Sequence, residues 1–66
     1  MLNPRQIVFV YEYLKEGNAT AAYKLAYGTA TDEVARANSS RLLTNANIKA
    51  EIEIFKVFGK SWQNYQ

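Results

Sequence analysis

Asn18-Ala19-Thr20-Ala21-Ala22-Tyr23-Lys24-Leu25-Ala26-Tyr27-Gly28-Thr29-Ala30-Thr31-Asp32-Glu33 is the stretch that decides the fold. Asn18 is an N-cap residue, the run from Ala19 to Ala26 is a good helix former, and Gly28 closes it. Ala19, Ala22, Tyr23 and Ala26 share one face, where small side chains let another helix approach closely. Gly28-Thr29-Ala30-Thr31 reads as a connecting turn and Thr31 as the next cap. Asp32 and Glu33 are acids favourably placed at the positive end of the following helix. A short helix, a turn containing Gly and a longer helix make the plan of a helix-turn-helix.

Upstream, Asn3, Pro4 and Gln6 have the spacing of an N-cap, a first helical residue and a capping-box partner, with Leu2 and Ile7 as a hydrophobic staple. Helix one therefore begins at Pro4, gathers Phe9, Val10, Tyr13 and Leu14 on one face, and stops at Gly17. Downstream, helix three runs to about Leu43. Ala35, Ser39, Leu42 and Leu43 lie on its inner side; Glu33, Ala37, Ser40, Arg41 and Thr44 lie outward, with Arg36 at the edge. After a turn at Thr44-Asn45, Asn45 caps helix four, which repeats Ile48, Ile52 and Phe55 at helical spacing to about Phe58. Ile54, Val57 and Phe58 cannot face the same core and form a second apolar stripe. The expected fold is all-α, a compact four-helix domain over residues 1–58 containing a helix-turn-helix, with a polar tail over 59–66.

A chain of 66 residues allows one domain, and the absence of both Cys and His removes disulfides, thiol nucleophiles and the usual zinc and nucleophile–base arrangements. Glu51 and Glu53 point in different directions, and Asp32 and Glu33 suit a helix start, so no catalytic residue stands out. Three isolated glycines build no phosphate-cradling loop, and no cofactor or metal is expected. The longest apolar run, Ile7 to Tyr11, is too short to cross a bilayer, so the chain reads as soluble and intracellular without a membrane partner. The net charge of +2 permits contact with nucleic acid without demanding it. Only Lys24 and Lys60 lack a local acid.

Arg36, Ser40, Arg41 and Thr44 form a small polar face that fits a major groove, where Arg reads guanine or pairs with phosphate and Ser or Thr bonds to either. Residue pattern alone leaves this reading level with a plain helical bundle whose arginines are solvated. Tyr11, Tyr27, Tyr65 and Trp62 are better read as covers for core edges than as base-stacking platforms, with Tyr27 a candidate turn residue.

Taken together, Leu2-Asn3-Pro4-Arg5-Gln6, Phe9-Val10, Tyr13-Leu14, Gly17-Asn18-Ala19-Thr20-Ala21-Ala22 and Ser39-Ser40-Arg41-Leu42-Leu43-Thr44-Asn45 resemble the N-terminal domain of bacteriophage terminase small subunits over residues 2 to about 53. That family opens L-[ST]-x-[KR]-Q-x-x-F-V-x-x-Y-L and continues with N-A-T-x-A-A and S-R-L-L segments. The resemblance implies a helix-turn-helix that recognises the packaging site on concatemeric viral DNA in the cytoplasm of an infected bacterial host. It also implies ring-forming homo-oligomers and a terminase large subunit that supplies ATPase and nuclease, the small subunit itself not being an enzyme. Carried onto this chain, helix three is the recognition helix. Lys24, Thr31, Arg36, Ser40, Arg41 and Thr44 become candidate contacts to double-stranded DNA, and Asn18, Thr20 and Tyr27 candidate phosphate contacts. Two departures stand out: the turn around Gly28 is longer than the G-Y-S of many relatives, and Ser39 stands where Gly is common, so its hydroxyl needs a partner such as a carbonyl one turn back.

The family's oligomerisation and large-subunit docking regions would lie beyond Phe58. The 66 residues are therefore expected to be an excised, monomeric DNA-binding domain or a very short relative. Ile54, Val57 and Phe58 would then continue into an oligomer or partner contact. Two other readings use the same residues: a protein-interaction module docking through Ile54, Val57, Phe58 and Trp62, and a helix-turn-helix transcriptional regulator.

Overall fold

The computed structural model describes residues 2–28 and 31–63, with side chains as far as Val57. It holds four helices, α1 (Pro4–Glu16), α2 (Ala19–Tyr27), α3 (Asp32–Thr44) and α4 (Ala46–Gln63), and no strand among the described residues. Each start has the cap its sequence predicts. The Asn3 side chain accepts from the Gln6 amide at 2.8 Å, and the Gln6 side chain accepts from the Asn3 amide at 3.0 Å, satisfying two otherwise orphaned donors reciprocally. Asn18 accepts from the Ala21 amide at 3.1 Å, and Thr31 from the Val34 amide at 3.3 Å. Asn45 accepts from the Asn47 and Ile48 amides at 2.8 and 3.2 Å. The stops are as local as the starts: Gly17 and Gly28 end α1 and α2 at φ of +74° and +83°, a region costly for any residue with a Cβ.

α1 packs on α2 and α4, and α3 packs on the same two helices, so α2 and α4 bridge the others. The core joins Phe9 and Val10 of α1, Ala22 of α2, and Ile48 and Ile52 of α4, flanked by Leu2, Tyr13, Leu14, Ala19, Tyr23, Ala26, Leu42 and Leu43. Phe9, Val10, Ile48 and Ile52 each contribute about 1.5–3 kcal/mol by leaving water. On α2 the residues packed into the core are Ala19, Ala22, Tyr23 and Ala26, mostly small side chains, which is consistent with a helix-turn-helix.

Helix α4 departs from expectation in two ways. It continues to Gln63 rather than ending near Phe58. Phe55 is 39% exposed and lies outside the core seam, which holds Ile48 and Ile52 only. Phe55 keeps helical phase with Ile48, but at about 1.5 Å per residue it stands about 10 Å further along α4, past the buried part of the helix. The second apolar stripe is present at Ile54 and Val57, which are 46% and 61% exposed; the side chains of Phe58, Lys60 and Trp62, and all of Tyr65, lie outside the described residues.

Candidate nucleic-acid interface

Helix α3 divides its residues cleanly. Ala35 and Ser39 are buried and Leu42 and Leu43 are half-buried against the core. Glu33, Arg36, Ala37, Ser40, Arg41 and Thr44 are all exposed, and they recur at intervals of three and four, which places them on one continuous face. The adjacent serines split between the two sides. Ser39 is 2% exposed and donates its hydroxyl to the Arg36 carbonyl at 3.1 Å, the partner its burial demanded. Ser40 points out with no hydrogen bond among the described residues. On the same face Arg36 and Arg41 have no acidic partner among the described residues, whereas the Thr44 hydroxyl donates to the Arg41 carbonyl at 2.7 Å and so offers an outside ligand only an acceptor.

Lys24 is not the unbalanced charge that local sequence suggested. Asp32, eight residues on and at the start of α3, meets the Lys24 ammonium in an exposed ion pair. That hydrogen bond and charge, with a smaller pull from Arg36, hold the Asp32 carboxyl below the ordinary aspartate range. Thr31, capping α3, accepts from the Val34 amide, and its hydroxyl donates no hydrogen bond among the described residues. Asn18 and Thr20 stand in the opening of α2, where the Asn18 side chain takes the Ala21 amide for itself.

Tyr27 is packed rather than free in the turn. Its ring stacks on Tyr23 with centroids 4.2 Å apart and planes 16° from parallel, and the Arg5 guanidinium carbon lies 5.7 Å from its centroid. Burial, with the neighbouring Tyr23, pushes the Tyr27 hydroxyl above its ordinary range against an opposing pull from Arg5. The Tyr23 hydroxyl in turn accepts from the Asn38 side-chain amide of α3 at 3.0 Å. Reading the sequence missed Arg5, Tyr23 and Asn38. The four-residue spacing of Tyr23 and Tyr27 was the available sign that their rings would meet, while Arg5 and Asn38 come together with them only through packing.

The arrangement is a polar face with two guanidinium groups that form no salt bridge among the described residues, carried by a helix held through buried small residues. Among the described residues no group of three or more His, Cys, Asp or Glu could hold a metal ion, and no helix is long and apolar enough to cross a membrane. No curated protein and no solved structure matches the chain. One family model, described as terminase small subunit, matches residues 2–57.

Proposed function

The chain belongs to the terminase small subunit family, and from that premise we propose that it is a non-catalytic DNA-binding module that recognises the packaging initiation site on concatemeric viral DNA. The large subunit, with its ATPase and nuclease, then acts at the marked site. The observation that carries this reading is the exposed α3 face of Arg36, Ala37, Ser40, Arg41 and Thr44, with neither guanidinium in a salt bridge among the described residues. Such a face enters a major groove with Arg directed at guanine or phosphate and Ser40 at either.

With Lys24 already paired, two cations remain on α3 and α2 to neutralise phosphates, which gives a log-log salt slope of about −1.8 and places one module near the non-specific range of roughly 10⁻⁴ to 10⁻⁶ M. Repetition around a ring of subunits raises effective affinity by about 10² to 10⁴ without new contacts. Ile54 and Val57, exposed beyond the core on α4, are the residues we assign to contacts between copies or with the large subunit; Phe58 belongs to the same stripe by sequence.

An amide-shift titration with duplex DNA at low salt tests the proposal. Shifts centred on Arg36, Ser40 and Arg41 support it. Silence there, with changes confined to Ile54 and Val57 when a partner is added, replaces it with a protein-docking role.

A further inference from the structure

Arg5 stands where its own helix does not favour it. It lies in the first turn of α1, which contains no acid, and a cation at the positive end of a helix is unfavourable. Among the described residues no carboxylate pairs with it, in contrast to Lys24. Its packing instead points across the molecule. The guanidinium lies 5.7 Å from the centroid of Tyr27, that ring is backed by Tyr23 at 4.2 Å, and the Tyr23 hydroxyl holds Asn38 of α3 at 3.0 Å. Arg5 is thus linked to α3 through its contact with Tyr27, the Tyr27–Tyr23 stack and one hydrogen bond. Tyr27 is also the last residue of α2, next to the link that leads into α3, so the charge is held at the link end of α2.

We propose that Arg5 is a phosphodiester contact of the duplex, presented by the face of Tyr27. A guanidinium held over an aromatic face keeps its N–H donors available to a ligand, and the contact biases where the charge sits before a ligand arrives. The contact reads no sequence; it sets the register of α3 in the groove. This inference rests on the duplex-binding reading above and adds a third free cation to the two on α3, changing the expected salt slope from about −1.8 to about −2.7.

The test is fluorescence anisotropy of a labelled mixed-sequence duplex with the 66-residue chain between about 50 and 200 mM salt, where a slope of −2.7 means a roughly 40-fold loss of affinity and a slope of −1.8 a roughly 12-fold loss. The wild-type chain should give the steeper dependence. Arg5→Ala and Arg5→Gln should both give the shallower one with an unchanged melting temperature, weakening every duplex sequence alike, and Arg5→Lys should keep the steeper slope. Tyr27→Leu should cost less than Arg5→Ala, and the double variant should be no weaker than Arg5→Ala alone. Arg5 variants with the wild-type slope overturn this inference and leave the α3 face standing. A wild-type chain that does not bind duplex at the lowest salt overturns both.

Discussion

Ser39 is the point at which the orientation of α3 can be put to the proof, because its side chain is 2% exposed where α3 turns inward and its hydroxyl is bonded only to its own helix, to the Arg36 carbonyl at 3.1 Å. Ser39→Ala removes that bond, yet the Arg36 carbonyl keeps its partner in the α3 ladder, and Ala exceeds Ser in helix propensity by about 0.5 kcal/mol. The Ala variant should therefore melt at or slightly above the wild-type temperature. Ser39→Gly gives up about 0.5 kcal/mol of propensity relative to Ser, or roughly 2–4 °C in a domain of this size. Ser39→Leu forces extra methylenes into a packed contact at about 1–3 kcal/mol, which corresponds to a fall of at least ~4 °C. Far-UV circular dichroism during thermal unfolding measures all three. The Leu variant should also lose duplex affinity although residue 39 faces away from solvent, since prying α3 from its neighbours re-aims Arg36 and Arg41. A Leu variant that melts at the wild-type temperature and binds duplex normally would refute this packing and the outward face inferred from it.

Arg41→Ala should weaken duplex binding and flatten its salt dependence by a slope of about 0.9, while stability changes by no more than the ~0.3–1 kcal/mol that a cation near a helix C-terminus supplies; anisotropy and a melting curve check the two halves. Asn18→Ala removes the cap of α2 and should cost about 1 kcal/mol in chemical denaturation. Because Lys24 holds the Asp32 carboxyl below its unfolded range, the pair's stabilisation is complete above about pH 3.9 and disappears as the pH falls below that toward the folded-state value. Lys24→Gln should abolish that part of the acid sensitivity, read as the difference between wild-type and variant melting temperatures across the acid range.

The helix boundaries were legible because they are set by neighbours in sequence. Asn3, Pro4 and Gln6 open α1 by reciprocal bonding within one turn, Asn18, Thr31 and Asn45 open the others, and Gly17 and Gly28 close the first two at positive φ. The inner and outer sides of α3 followed from spacing alone, including the opposite fates of Ser39 and Ser40. What spacing did not carry is contact across the turn: the Lys24–Asp32 pair and the Arg5, Tyr27, Tyr23, Asn38 series depend on the angle between helices, which no local pattern encodes. Phe55 misled for a related reason. It keeps helical phase with Ile48 and Ile52, but phase says nothing of how far along α4 its neighbours reach. The stop expected near Phe58 failed because one Gly at position 59 weakens a helix by only about 1 kcal/mol without ending it.

Helix α2 has nine residues and a single fully buried side chain, Ala22. A segment that short has no helical life of its own in water, where roughly 12–15 residues are needed even for favourable compositions. It is ordered only as long as α1 and α3 hold it, so the exposed polar side of α3 has no existence apart from the whole cooperative unit. If the proposed duplex binding holds, occupancy of that side is readable at a distance: a bound duplex should raise the unfolding temperature of all four helices together through mass action, and damage at Phe9 or Ile48 should silence binding without touching a single proposed contact.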